Sequence, residues 1–209
     1  MSPRVRQSRG IDADIVLSAA LTLFSDRGYR ATTMDDIGAE LGIKGPSLYK
    51  HVRSKQDLLH EIMQSTMEVL IRNQSAAMSA GGNCETRLRR AVEAHVRYHA
   101  AHKMEAFVGN REVASLEQPY RDQVLNLRDE YEHRLRSLIE EGCVEGEFNI
   151  PSPKLVSYAI LEMGIGVSVW FDPRGEYTVD EVVYMYSELA IRMVTDRVTS
   201  VAVEQLPLS

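Results

Sequence analysis

The sequence predicts an all-α protein of about nine helices, and three observations support this fold class. Almost every segment repeats its apolar residues with the period of an α-helix, strand-like alternation is missing, and Gly or Pro separates the segments. With 209 residues the chain is long enough to bury a core without disulfides or a metal. Its two cysteines, Cys84 and Cys143, lie far apart without metal-ligand spacing, which predicts two free thiols in a reducing compartment.

The first three helices are predicted within the first 54 residues, over about 12–27, 34–41 and 45–51. Gly28 and Gly42 end the first two, because glycine adopts the left-handed conformation of a C-terminal cap without strain. Thr32 or Thr33 caps the second helix. Pro46 suits the first turn of the third, where its missing N–H has no partner to lose. Two short helices around a glycine-containing turn predict a helix-turn-helix, whose second helix enters the major groove of DNA.

The remaining six helices are mostly longer and form the C-terminal portion, which we expect to be a helical bundle. They are predicted over about 55–80, 85–101, 104–113, 119–141, 153–171 and 179–198, with Gly142 and Gly146 ending the fourth of them. The last two are the most apolar pair, and the small residues Ala159, Gly164 and Gly166 allow another helix to approach closely. Such a surface is either core or the seam of a homodimer. We predict that the segments at about 153–171 and 178–198 join two copies.

The charge distribution separates the two portions of the chain. The whole chain carries a formal charge of -6, but residues 1–60 hold nine Lys and Arg against seven Asp and Glu. From Lys44 to Lys55 there are four Lys or Arg, one His and no acid. A local cationic surface on an acidic protein forms phosphate contacts there while the rest of the surface repels DNA. We therefore predict an N-terminal arm and DNA-binding domain at 1–54, and a linking, ligand-binding and dimerisation domain at 55–209.

The N-terminal arm is basic, and the apolar stretches of the chain are short or interrupted by polar residues. Arg4, Arg6 and Arg9 either reach the minor groove or form a solubilising tail. No apolar segment with a cleavage site follows them, which argues against a signal peptide. The stretch at 155–171 contains Glu162 and is short for a bilayer span, which needs about 20 apolar residues. We expect a cytoplasmic protein without a membrane segment.

Polar side chains that can contact DNA follow the turn between the second and third helices: Lys44, Ser47, Tyr49, Lys50 and His51. The first two can reach base edges or phosphates, and the last three can donate to the DNA backbone. Lys55 begins the fourth helix, whose free N–H groups also favour a phosphate. This pattern predicts double-stranded DNA as a partner.

Residues 11–60 resemble the DNA-binding domain of the TetR family of bacterial transcriptional repressors. The matching segments are ALTLF at 20–24, GYRATT at 28–33, IGAELGI at 37–43, SLYKHV at 47–52 and SKQDLL at 54–59. The resemblance implies that the phosphates are held by Thr33, Tyr49, His51 and Lys55. It also implies that the bases are faced by Lys44, Gly45, Pro46, Ser47 and Lys50. Gly45 departs from this chemistry, because glycine has no side chain with which to read a base.

The C-terminal portion is similar to a subgroup of the family that often responds to acyl-CoA thioesters. The similarity lies in residues 142–148, in VSVWFDP at 167–173 and in Gly175. It implies an acyl-CoA effector. A basic residue near this turn would suit the nucleotide phosphates of coenzyme A. Arg174 is such a residue, whereas Asp172 is acidic.

Eight side chains are candidates for the effector pocket, since such pockets are mostly apolar and often lie between the helices of a bundle. Those that suit the lining are Met67, Tyr98, His99, Phe107, Tyr131 and Trp170, and those that suit an anionic group are Arg111 and Arg128. The alternatives are plain core packing for the first group and solvent-facing charge for the second. His95, His99 and His102 share a helix face, but no carboxylate or thiolate matches their spacing, so we expect no metal and no cofactor.

These observations predict a ligand-responsive transcriptional regulator, a repressor by resemblance, that binds a palindromic operator as a dimer and is released by a small molecule. The sequence contains no P-loop, Gly-x-Ser-x-Gly, Rossmann or HExxH motif, and we therefore expect no catalytic residues and no enzyme. Two alternatives stay open. One is a constitutive DNA-binding protein without a ligand, and the other is a helical small-molecule-binding protein.

Overall fold

The computed structural model describes residues 12–195, and at positions 45 and 46 it describes the backbone alone. The arginines of the arm lie outside the described residues. Within them the chain forms nine α-helices and no strand, so the predicted fold class is confirmed. The helices are α1 (Ala13–Arg27), α2 (Met34–Glu40), α3 (Gly45–Leu48), α4 (Lys55–Ser79), α5 (Cys84–Ala101), α6 (Lys103–Glu112), α7 (Tyr120–Val144), α8 (Pro153–Trp170) and α9 (Val179–Thr195). No helix in the described range is both long and apolar enough to cross a bilayer.

The described residues divide into two compact units. The first comprises 12–69 and 102–128, and the second comprises 70–101 and 129–195. The long helices α4 and α7 therefore contribute to both. The predicted domain boundary at residue 54 divides the chain by function, into a DNA-binding portion and a regulatory portion. The two compact units do not test that boundary, and it stays a prediction.

The first unit has a core to which helices far apart in the sequence contribute. Phe24 of α1, Ile37 of α2 and Leu48 of α3 are fully buried in it. Leu59 of α4 and Val108 of α6 belong to the same cluster and are equally buried. The helix-turn-helix is therefore packed together with α6 rather than standing alone as a three-helix domain.

In the second unit, α5 packs against both α8 and α9, and these two also contact each other. Leu88 and Val96 of α5, Ile160 of α8 and Ala190 of α9 are at most 1% exposed. The N-terminus of α5 is capped by the carboxylate of Glu147, which accepts hydrogen bonds from the backbone of Cys84 and Glu85 at 3.3 and 3.0 Å. This carboxylate satisfies amide groups that have no partner within the helix.

Two predicted helix ends were wrong. The third helix ends at Leu48 rather than His51, because the next amides of Lys50 and His51 bond to carbonyls three residues back in tight turns. Helix α7 continues through Gly142 to Val144. A Cβ on Gly142 would lie 2.2 Å from the ring of Phe148, so this glycine makes room for a packed ring instead of ending the helix.

Candidate nucleic-acid interface and effector-binding residues

The start of α2 is fixed by a reciprocal pair of hydrogen bonds between Thr33 and Asp36. The Thr33 hydroxyl accepts from the Asp36 amide at 3.1 Å, and the Asp36 carboxylate accepts from the Thr33 amide at 2.8 Å. The hydroxyl of Thr33 also donates to that carboxylate at 2.6 Å. The hydrogen bonds that the hydroxyl and the backbone amide of Thr33 donate lower the pKa of Asp36, and the hydroxyl has the larger effect. This capping box sets where the helix-turn-helix begins.

The turn and α3 place a set of polar groups at the surface. Gly42, with a φ of 66°, makes the turn, and the amide of Ile43 donates to the carbonyl of Gly38 at 2.9 Å. Leu48 is fully buried and anchors α3 in the core of the first unit. The side chains on either side of this anchor are exposed at Lys44, Tyr49, Lys50 and His51, and half-buried at Ser47. At positions 45 and 46 the backbone alone is described. The structure thus brings five of the nine predicted DNA contacts to one short stretch of surface.

Lys55 is placed differently from these residues. Its ammonium donates to the backbone carbonyls of Tyr29 and Thr32 at 2.9 and 2.7 Å, and it lies 4.2 Å from the centroid of the Tyr29 ring. Burial lowers the pKa of Lys55, and the nearby carboxylate of Glu112 opposes that shift. The side chain holds the segment that leads from α1 into α2.

Gln56 and Glu112 hold the same tyrosine from two further sides. The amide group of Gln56 donates to the Tyr29 hydroxyl at 2.9 Å and to the Ser115 carbonyl at 2.8 Å. The carboxylate of Glu112 accepts from the Tyr29 amide at 3.2 Å and from the Ser115 hydroxyl at 2.8 Å. We call Lys55, Gln56 and Glu112 the Tyr29 clamp. No sequence pattern signals this clamp, because Tyr29 and Glu112 both lie far along the chain from Lys55 and Gln56.

The second unit contains a buried chain of hydrogen bonds that crosses four helices. The side-chain amide of Gln74 on α4 donates to the backbone carbonyl of Tyr131 on α7 at 3.1 Å. The Tyr131 hydroxyl lies 2.9 Å from Nδ1 of His95 on α5, and Nε2 of His95 lies 3.0 Å from the carbonyl oxygen of Leu161 on α8. All three side chains are at most 6% exposed.

The direction of each bond in this chain follows from the carbonyl at its end. A carbonyl oxygen only accepts, so Nε2 of His95 carries the hydrogen. Burial lowers the pKa of His95 to about 4, which leaves the ring neutral near pH 7. Nδ1 is then an acceptor, and the hydroxyl of Tyr131 donates to it. Both nitrogens of His95 are therefore engaged within the protein, which removes it as a metal ligand.

The candidate effector residues are distributed over both units. Tyr98, His99 and Tyr131 are buried around His95, whose ring lies 4.5 Å from that of His99. Met67 is buried in the first unit. Also in the first unit, the guanidinium of Arg111 stacks on the exposed ring of Phe107 at 4.8 Å, and Arg128 donates to the carbonyl of Gly109 at 2.6 Å.

Trp170 differs from these residues, because it is 48% exposed at the end of α8, against Phe171 and Tyr186. It belongs to an apolar surface on α8 and α9 that we call the α8–α9 face. Its members are 43 to 83% exposed, and they are Leu155, Tyr158, Val169, Trp170, Tyr184, Met185 and Leu189. Along each helix they recur at helical spacing, so they form stripes rather than scattered apolar residues. Exposed apolar patches of this kind mark interfaces.

Comparison with known proteins identifies the family. A model of the tetR family of bacterial regulatory proteins matches residues 16–62, and a model of the tetracyclin repressor-like C-terminal domain matches residues 81–194. The second match alone spans more than half of the chain. The chain belongs to the TetR family. As a TetR-family protein it is a ligand-responsive transcriptional regulator with an N-terminal helix-turn-helix and a C-terminal regulatory domain, as the sequence predicted.

Individual relatives of this TetR-family regulator agree with the assignment. The HTH-type transcriptional repressor KstR2 of Rhodococcus jostii RHA1 is 28% identical over 178 residues, which is 84% of this chain and 87% of the relative. A tetR-family regulatory protein from Rhodococcus RHA1 is 30% identical with a TM-score of 0.82, covering 87% of this chain and 96% of that one. AibR, solved with isovaleryl coenzyme A and operator DNA, shares the fold at 22% identity and a TM-score of 0.77, covering 88% and 97%.

Proposed function

We propose that this TetR-family regulator is a repressor that binds a near-palindromic operator as a homodimer and is released by a small molecule bound in its C-terminal portion. The observation that carries the proposal is the exposed polar stretch Lys44 to His51 around the buried Leu48. A recognition helix must be anchored on one side and present donors on the other.

The roles of individual residues follow from their placement. Lys44, Ser47 and Lys50 face the base edges, together with the backbone at Gly45 and Pro46. Thr33, Tyr49 and His51 flank this stretch and contact phosphates, which fix register rather than sequence. These contacts fall within 1–54, which is the DNA-binding portion of the proposed division.

The α8–α9 face binds a second copy of the chain. A symmetric dimer uses the same surface on both copies, so an apolar stripe on two adjacent helices is self-complementary. Such a dimer presents two copies of α3 to successive major grooves, about 34 to 36 Å apart. We assign Trp170, which the sequence predicts in the pocket, to this face because its side chain is half-exposed in one copy.

The effector is an acyl-CoA thioester, held by 55–209. Support comes from the sequence similarity of the C-terminal portion and from AibR, a protein of the same fold that was solved with isovaleryl coenzyme A. The pocket residues that we propose in the second unit are Tyr98, His99 and Tyr131. Met67, Phe107, Arg111 and Arg128 remain candidates predicted from the sequence. The effector biases the dimer toward a conformation that binds DNA less tightly. The relatives are regulators, and we infer a cytoplasmic protein without enzymatic activity.

Operator binding can be tested by titrating the purified protein against a labelled duplex from its own upstream intergenic region, at several salt concentrations. Each phosphate contact contributes about 0.9 to the slope of log K against log salt. Lys44→Ala is expected to weaken binding and change operator preference. Lys154→Ala is the control, because it removes an exposed positive charge of α8 that faces no DNA in the proposal. Equal losses from both variants would contradict the assignment of the interface.

The effector class is tested by adding isovaleryl-CoA and longer acyl-CoA thioesters to the preformed complex. Release by one thioester, but not by free coenzyme A, supports the proposal. Tight binding that no thioester releases retains the regulator and rejects acyl-CoA. The absence of salt-sensitive binding at any concentration would reject the proposed function itself.

A further inference from the structure

Two charged side chains, Glu162 and Arg192, lie among the apolar residues of the α8–α9 face. On α8, Leu155 is seven residues before Glu162 and Val169 is seven residues after it. On α9, Met185 is seven residues before Arg192. Residues seven apart lie two turns apart on the same side of an α-helix, so each charge shares the exposed side of its apolar neighbours. Both charged side chains are exposed in one copy.

The carboxylates of α9 are engaged within one copy, whereas these two charges are not. Asp180 and Glu188 form ion pairs with arginines of α5, and Glu181 accepts hydrogen bonds at the start of its own helix. Neither Glu162 nor Arg192 forms an ion pair within the described part of the chain. A charge in an apolar surface is costly to cover unless it gains a partner. A dimer through this face must therefore supply a partner from the other copy.

Two symmetric arrangements of the face exist, and the charges distinguish them. In the first, α8 packs antiparallel on α8 of the partner. Glu162 is the midpoint of the stripe from Leu155 to Val169, so this arrangement brings two carboxylates together. In the second, α8 packs on α9 of the partner, and Glu162 then faces the helix that carries Arg192. Like charges in contact oppose association and opposite charges favour it, so the second arrangement is favoured.

Helices α8 and α9 form an antiparallel pair, and the two charges lie at a similar height along it. Trp170 at the end of α8 contacts Tyr186 in the first half of α9, with 6.2 Å between the ring centroids. The amide of Asn149, before α8, donates to the carbonyl of Val194 near the end of α9 at 2.9 Å. From the ring contact, the charge on α8 lies about 12 Å away and the charge on α9 about 9 Å away, at about 1.5 Å per residue. When α8 packs on the partner's α9 about an axis along the pair, residues at equal heights meet.

We propose that Glu162 of each copy forms an ion pair with Arg192 of the other, and that these two pairs determine which helices of the copies meet. The inference rests on the proposed homodimer and adds the contact that fixes its arrangement. Gly166, one turn after Glu162, leaves room for a long arginine side chain, since a Cβ there meets nothing within 4 Å in one copy. Such pairs suppress wrong arrangements more than they add to affinity.

Charge reversal tests the pair in the full-length protein. Glu162→Arg sets arginines opposite each other, and Arg192→Glu sets carboxylates opposite each other. We expect each single variant to raise the dissociation constant of the dimer by about 100-fold or more. The variant with both changes should regain the wild-type dissociation constant. Sedimentation velocity with fluorescence detection, which extends to dilute protein, measures all three.

The matched control is Glu140→Arg, because Glu140 is an exposed carboxylate of α7, outside the face. It should dimerise as the wild type does. Wild-type protein that is monomeric at every concentration would reject the proposed homodimer itself. A wild-type dimer that neither Glu162→Arg nor Arg192→Glu weakens would reject the ion pair alone, so the two failures are distinguishable.

A mixture of the two single variants gives a result even when neither dimerises alone. A copy with Glu162→Arg carries arginine at both positions, and a copy with Arg192→Glu carries carboxylates at both, so a mixed dimer has two opposite-charge pairs. Native mass spectrometry separates the three dimers by mass, and mixed dimers should exceed both homodimers well beyond a statistical mixture. A statistical mixture, or the absence of mixed dimers, would overturn the proposal.

Glu162→Gln distinguishes the two arrangements of the helices. If α8 packs on α9 of the partner, the neutral side chain loses an attraction and the dimer dissociates more readily. If two copies of Glu162 meet instead, the same change removes a repulsion and the dimer becomes tighter. A tighter dimer would therefore overturn the proposed pairing of Glu162 with Arg192.

Discussion

The imidazole of His95 occupies the space that a side chain at Gly164 would need. A Cβ on Gly164 would lie 2.2 Å from Cδ2 and 2.6 Å from Nε2 of His95. Helices α5 and α8 approach closely because this position is glycine. The same approach brings Nε2 to the Leu161 carbonyl, one turn earlier on α8.

Gly164→Ala should therefore destabilise the protein by about 1 to 3 kcal/mol, the usual effect of overpacking a core. Gly109→Ala on α6 is the control, since a Cβ there would lie 3.8 Å from Nη2 of Arg128, which is an ordinary contact distance. An alanine in an open helical position stabilises by about 0.5 to 1 kcal/mol relative to glycine. Urea unfolding of both variants measures the difference. Equal free energies of unfolding would show that the His95 ring moves aside without loss.

The free energy of unfolding should fall as the pH drops from about 6.5 to 4. The pKa of His95 is lowered by burial to about 4, while the unfolded chain has the ordinary value of 6.5. Between these values the unfolded state binds a proton that the folded state excludes, so this contribution is complete above pH 6.5 and is lost on acidification. Its slope is about 1.4 kcal/mol per pH unit. His95→Gln should lack this dependence, and identical pH profiles for the two proteins would refute the assignment.

Tyr131→Phe tests the contribution of the Tyr131 hydroxyl to the buried chain of hydrogen bonds. It removes the hydroxyl that donates to Nδ1 of His95 and leaves a buried acceptor without a partner, which costs about 1 to 3 kcal/mol. Tyr177→Phe is the control, because Tyr177 is 52% exposed between α8 and α9, outside the α8–α9 face, and surface changes usually alter stability by less than about 0.5 kcal/mol. Thermal unfolding compares the two. Equal melting temperatures would mean that the hydroxyl contributes nothing in the folded state.

The capping box predicts the effect of Thr33→Ala on stability. Loss of a threonine N-cap costs about 1 kcal/mol, here without removing any core contact. Thr22→Ala removes a hydroxyl that donates to the Ser18 carbonyl within α1, and it should be nearly neutral. If both variants unfold at the same urea concentration, the box does not stabilise α2 in solution.

Charged substitutions in the α8–α9 face should produce monomers. Val169→Glu and Leu189→Glu place a carboxylate in the apolar stripes, where Val169 is 83% and Leu189 43% exposed in one copy. Val144→Glu is the control, since Val144 is 89% exposed at the end of α7, outside the face. Sedimentation velocity should show monomers for the first two and the wild-type dimer for the third. Dimers in all three would place the interface elsewhere.

The sequence was sufficient for the helices and for the polar stretch at 44–51, because helical periodicity and turn residues are local signals. It was insufficient for contacts between helices. A glycine such as Gly142 is typical of the end of a helix. In the structure α7 continues through it, and the adjacent ring of Phe148 explains why this position has no side chain. Lys55 has the position of a phosphate ligand, while its hydrogen bonds go to a segment more than twenty residues away. Such roles depend on three-dimensional neighbours that spacing along the chain does not encode.

The chain contains one tryptophan, and it lies in the α8–α9 face. Its indole is 48% exposed in a single copy and would lose that contact with water when a second copy covers it. The emission of a tryptophan shifts to the blue as water is excluded, so the intrinsic fluorescence of the unlabelled protein reports subunit association directly. Dilution and subunit-exchange kinetics can then be followed in the native sequence, with no dye attached near the DNA-binding helices.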